Sequence, residues 1–134
     1  ISRASYFFHC AAGGDTLSKY HLEAGIAYWN TQKTDSAEKW ESVLQLYNQL
    51  LAIEYSSVAA LNRTYALSKT SGKEMAIREA EQLKLENYPF YFTLLGDLYT
   101  GIDTEMARKN LLKGLSITKS DFDKQAIRRK IDLL

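Results

Sequence analysis

The sequence predicts an all-α fold: a superhelix of αα-hairpins with about seven or eight helices. Three observations carry that prediction. One proline and seven glycines in 134 residues leave few places to break a helix, and they fall between the periodic segments rather than inside them. Apolar residues return at helical spacing along most of the chain. Leu61, Asn62 and Tyr65 recur 34 positions later as Leu95, Gly96 and Tyr99, the mark of stacked helical units sharing one interior.

Composition narrows the function classes. With 46 % hydrophobic and 25 % charged residues the chain is of ordinary globular type, long enough for a real core. Its 17 basic and 16 acidic residues leave a net charge of +1, too little for a long-range field that draws nucleic acid or membrane. The single cysteine, Cys10, has no partner for an internal disulfide, so a reducing, cytoplasmic setting is expected. No apolar run approaches the ~20 residues of a membrane span. The start at Ile1, without Met or a signal-like segment, leads us to expect residues 1–134 to be a single helical-repeat domain cut from a longer protein.

Taken in order, Ser2–Ala12 reads as a short apolar helix carrying His9 and Cys10 and ended by Gly13-Gly14. Asp15 or Thr16 caps the next helix, which runs to about Asn30, with His21, Ala24, Gly25 and Tyr28 on its inner face. Thr31–Asp35 is a polar loop, and Asp35 or Ser36 caps a helix over Ala37–Glu54. The stripe of that helix is Trp40, Leu44, Tyr47 and Leu51, supported by Val43, Leu46 and Leu50. These aromatics read as core rather than as a platform for stacking bases.

Tyr55-Ser56-Ser57 turns the chain into an alanine-rich helix ending near Ser71-Gly72. The next, Lys73–Leu83, has Ala76, Ala80 and Leu83 inside. Pro89 opens the following helix, PFYFTLLGDLYTG, at the first-turn position where its missing N–H costs nothing. Asp103 caps TEMARKNLLKGLSITK, and Ser120 or Asp121 caps DFDKQAIRRKIDLL. In that last helix Phe122, Ile127, Ile131 and Leu134 are expected inward, and Arg128, Arg129 and Lys130 outward.

Phe92-xx-Leu95-Gly96-xx-Tyr99 followed by Ala107-xxx-Leu111-xx-Gly114 resembles the tetratricopeptide pattern, one residue short in the loop. The preceding unit matches with Val58, Leu61, Asn62 and Tyr65, and a weaker one with His21, Ala24, Gly25 and Tyr28. Small residues at Gly25, Asn62 and Gly96 set the approach of paired helices. Such stacks curve, and the first helix of each hairpin lines the concave side. Lys19, Trp29, Asn30, Arg63 and Asp97 are the candidates for that lining, and an exposed Trp29 or Phe90 would suit a ligand or a second copy.

Chemistry-bearing sets are absent from the pattern. His21 and Glu23 make an HxE pair, but a spacing of two on a helix points them apart, and no second His or Cys follows at ligand spacing. No nucleophile–base set or phosphate-cradling glycine loop is visible, so no enzyme, cofactor or metal is expected.

Three longer runs are more particular: YHLEAGIAYW (Tyr20–Trp29), WESVLQLYNQLLAIEYSSVAALNRTYAL (Trp40–Leu67) and FYFTLLGDLY (Phe90–Tyr99). Together they resemble the C-terminal tetratricopeptide-like extension of one group of extracytoplasmic-function (ECF) RNA polymerase sigma factors. The resemblance covers nearly the whole chain, with Ser57 standing where that family tends to have Pro. It implies an appended protein-interaction or autoregulatory module in transcription initiation. Its partners would be RNA polymerase, the sigma core of the same chain or a regulator protein. The positions matching the family run that could carry such contacts are His21, Glu23, Trp40, Asn62 and Arg63. Neither sigma region is present, and the Arg128-Arg129-Lys130 cluster is too small to anchor DNA. The alternative is an unrelated tetratricopeptide adaptor holding a peptide in its concave groove.

Overall fold

The computed structural model describes residues 15–134. The helix expected at residues 2–12, with His9 and Cys10, lies outside them. The described residues form seven α-helices and no strand: α1 (Asp15–Asn30), α2 (Ala37–Ile53), α3 (Ser57–Ser71), α4 (Lys73–Leu83), α5 (Pro89–Tyr99), α6 (Thr104–Ile117) and α7 (Asp121–Asp132). The predicted all-α arrangement of helical hairpins is what the described residues adopt. It groups into two compact units, one reaching to Thr70 and the other spanning Ser71–Leu134.

Local chemistry explains where the helices start. Ser36 Oγ accepts from Lys39 N at 3.2 Å, Ser56 Oγ from Ala59 N at 3.3 Å, Asp103 Oδ1 from Met106 N at 3.2 Å and Ser120 Oγ from Asp123 N at 3.4 Å. Each satisfies an amide that the first helical turn leaves unpaired. Pro89 occupies the first turn of α5, as expected. α6 ends two residues before the predicted Lys119, because Thr118 turns extended and its hydroxyl donates back to Gly114 O at 2.6 Å.

In the first unit α1 packs on α2. The core is Leu22, Ile26 and Trp29 of α1, Trp40, Val43, Leu46 and Leu50 of α2, and Ala66 of α3. The inner face of α1 is therefore Leu22-xx-Gly25-Ile26-xx-Trp29, one residue on from the predicted His21-xx-Ala24-Gly25-xx-Tyr28. Ala24 is exposed, and Tyr28 is 45 % exposed. The physical reason is area: Leu, Ile and Trp hide more apolar surface than Ala and Tyr, whose hydroxyl is content in water. Along α2, Leu44, Tyr47 and Leu51 sit half-buried beside a buried Trp40-Val43-Leu46-Leu50 stripe. Trp40 is held from several sides. Its indole N–H donates to Asp35 Oδ1 at 3.3 Å, and its ring meets the Tyr65 ring edge-on at 5.3 Å. Lys39 Nζ lies 4.7 Å from its centroid while donating to Gln32 O at 2.7 Å. In α3, Leu61 is fully buried and Asn62 half-buried, whereas Val58 and Tyr65 of the predicted pattern are exposed.

In the second unit consecutive helices pack pairwise: α4 on α5, α5 on α6 and α6 on α7. α5 is the central element, burying Tyr91, Phe92, Leu94, Leu95, Gly96 and Leu98. Gly96 is there because nothing larger fits: a Cβ on it would stand 2.5 Å from Leu111 Cγ. The α5–α6 link turns at Gly101, whose φ of 88° favours glycine, with Asp103 N donating to Tyr99 O at 2.9 Å. Ala76 and Ala80 line the inside of α4 as predicted, joined by Ile77. In α7 Ile127 is buried, but Phe122 is 74 % exposed and does not join the interior as expected. It stands in the first turn, on the side of the helix away from Ile127.

Candidate interaction cleft

The second unit carries a cleft of about 660 Å³ bordered by the start of α5, the α6–α7 link and α7. Its shape follows from the helix starts. Tyr88 precedes Pro89 in extended conformation and directs Phe90 outward, and the two rings meet edge-on at 6.2 Å. Thr93, one turn on, continues the α5 wall. Thr118 and Lys119 cross the floor, and Ser120 caps α7, which presents Asp123, Ala126, Ile127 and Lys130 to the opening. The interior is apolar with a polar rim: Phe90, Ile117, Ala126 and Ile127 supply surface, while Lys119, Asp123 and Lys130 supply charge. Such a composition has the surface and the charge that could hold and orient a chain segment or small molecule.

Near the cleft, Lys130 Nζ donates to Asp97 Oδ2 at 2.8 Å. On the other side of α5, the Tyr99 hydroxyl donates to Glu81 Oε2 at 2.8 Å. Burial first, then that hydrogen bond and the Glu81 charge, push the Tyr99 phenol up to about 12. Tyr91 donates to Glu81 O at 3.4 Å and is likewise raised, chiefly by burial.

The candidate residues of the sequence meet different fates. Trp29 is 8 % exposed and belongs to the core of the first unit, so it lines no groove and is not an open surface for a ligand or second copy. Trp40 is core, as expected. Lys19 pairs with Glu54 at 2.8 Å, and that hydrogen bond raises its pKa. His21 is half-buried with its ring edge-on to Tyr20 at 6.0 Å, while Glu23 points to solvent. Asn30 is exposed at the last turn of α1. Asn62 is half-buried, and its neighbour Arg63 donates from Nε to Asn48 Oδ1 at 2.6 Å, tying α3 to α2. Asp97 alone among them stands beside the cleft. Phe90, expected as an exposed aromatic, does line it. Tyr88, Thr93, Lys119 and Asp123 escape sequence reasoning, because none carries a local signal that separates it from an ordinary surface residue. Among the described residues no group of three His, Cys, Asp or Glu side chains could hold a metal ion. No described helix is long and apolar enough to cross a membrane.

With this geometry in hand, comparison with known proteins adds one relation. The chain is similar to an uncharacterized protein of Rhizobium meliloti (strain 1021). The two are 29 % identical over 119 residues, which is 86 % of this chain and 28 % of that protein. The chain therefore spans little more than a quarter of the curated relative's length. No protein-family model matches the chain, and no solved structure matches it.

Proposed function

We propose that this chain is a non-enzymatic interaction module of a bacterial transcription-initiation factor: the helical-repeat extension that follows the promoter- and polymerase-binding regions of an ECF-type sigma factor, working in the cytoplasm. The observation that carries this reading is the run Trp40–Leu67, WESVLQLYNQLLAIEYSSVAALNRTYAL, whose resemblance to those extensions is more particular than a bare repeat. The all-helical hairpin fold agrees with it. So does the matched relative, in which the similar stretch is a minor part of a longer polypeptide. The module contacts the sigma core of its own chain, the polymerase or a regulator, and by that contact adjusts initiation without touching DNA.

The test compares the full-length parent with a variant lacking this module, by polymerase pull-down and promoter-directed transcription in vitro. A change in polymerase retention or transcript yield supports the proposal. Equal retention and equal yield reject it. A second reading, a peptide-holding adaptor unrelated to sigma factors, is favoured by one observation: the apolar cleft of the second unit. The residues upstream of Ile1 in the parent discriminate the two, since an adaptor has no sigma regions there.

A further inference from the structure

The walls of the cleft are anchored unequally. α5 buries six residues and α6 four, whereas Ile127 is the one residue of α7 that is fully buried. α7 is thus the wall with least holding it, the kind of element that opens locally before the rest unfolds. Two faces meet across the opening. Phe90, Thr93 and Asp97 stand at i, i+3 and i+7 on α5, and Asp123, Ala126 and Lys130 at i, i+3 and i+7 on α7. The first turns of both helices leave the cleft open. At the third turn the Asp97 carboxylate and the Lys130 ammonium close to 2.8 Å, from positions 33 apart in the chain. Both side chains remain nearly half exposed, 47 % and 44 %, so water and dissolved ions reach the pair and compete for it.

We infer that the Asp97–Lys130 pair is a strap that sets how far the cleft opens. When it is made, α7 is held toward α5 and the cleft is narrow. When it is broken, by salt or by a partner whose charge captures either member, α7 moves off and the cleft widens. The inference concerns the opening of the cleft and holds whatever the cleft binds.

Hydrogen exchange of the intact chain, followed by mass spectrometry at low ionic strength, tests it. The proteins compared are wild type, Asp97→Asn, Lys130→Met and the exchanged pair Asp97→Lys/Lys130→Asp. Each single substitution is expected to speed exchange of the α7 amides roughly two- to fivefold, the range such an exposed pair supports. The amides of α5 and α6 should stay unchanged, and the exchanged pair should restore the wild-type rate. Raising salt should bring wild-type α7 toward the single variants while moving those variants little. The inference is overturned if α7 exchange is the same in all four proteins. It is also overturned if α5 and α6 accelerate by the same factor as α7, since the pair would then add only general stability. The salt series on the wild type decides the matter without any substitution: α7 exchange indifferent to salt rejects the strap.

Discussion

A single hydroxyl illustrates how side-chain environment becomes a pH response. Tyr99 donates to Glu81 from a partly buried position, and burial with that bond pushes its pKa up to about 12. An unfolded tyrosine releases its proton near pH 10, at about its ordinary pKa. The folded-state pKa lies above the unfolded one, so the contribution is fully present below about pH 10 and is lost as pH climbs toward the folded value. Tyr99→Phe is expected to lower stability by about 1 kcal/mol at neutral pH, the net worth of such a hydrogen bond. The variant should also lose less stability than wild type between pH 10 and 12. Urea midpoints measured from pH 7 upward check both expectations. An identical alkaline slope in the two proteins would show that the Tyr99 phenol does not contribute to the alkaline loss of stability.

At the level of helices, the α5–α6 hairpin depends on close approach. Gly96 and Leu111 are both fully buried, and a methyl at Gly96 would press against the branched carbon of Leu111 rather than against a flexible tip. Gly96→Ala gains helix propensity of roughly 1 kcal/mol, but the crowding costs about 1–3 kcal/mol. The expected net effect is destabilisation of up to about 2 kcal/mol, read from chemical denaturation followed by far-UV circular dichroism. Gain in stability would mean that Leu111 moves aside freely.

Helix boundaries are legible in the sequence because their causes are local. Ser36, Asp103 and Ser120 each stand directly before a helix and accept an amide three residues on, and Pro89 marks the start of α5 by its own chemistry. Which face of a helix turns inward is less legible. α1 offers two overlapping apolar sets, one through Ala24 and Tyr28 and the other through Leu22, Ile26 and Trp29. Spacing alone does not rank them; buried area does. Phe122 departs from expectation for a related reason, since an apolar residue in the first turn of α7 has a register, yet among the described residues nothing covers it and it stays 74 % exposed.

Across the whole molecule, charge is balanced and the sequence pI is near 8.0. Self-repulsion is weakest there, so the protein should associate most readily around that pH and less on either side. Static light scattering over pH 6 to 10 checks this, and a minimum of association near pH 8 would contradict it. The cleft belongs to this scale too, and that is why the sequence does not reveal it. Phe90 and Lys130 lie far apart in the chain, and their facing arises only from stacking α5, α6 and α7. Asp97 reads from sequence as a groove residue, yet its partner reads as part of an outward basic cluster. Fold class needs only periodicity and punctuation; the site needs the packing.

The placement of Trp29 and Trp40 in one core has a practical corollary. They are the chain's two tryptophans, and both belong to the first unit. Long-wavelength excitation therefore lights up that half of the molecule, and emission is a reporter of its integrity. No tryptophan lines the cleft of the second unit, so a titration there is followed most directly with an introduced fluorophore, and Thr93→Trp would put one on the cleft wall.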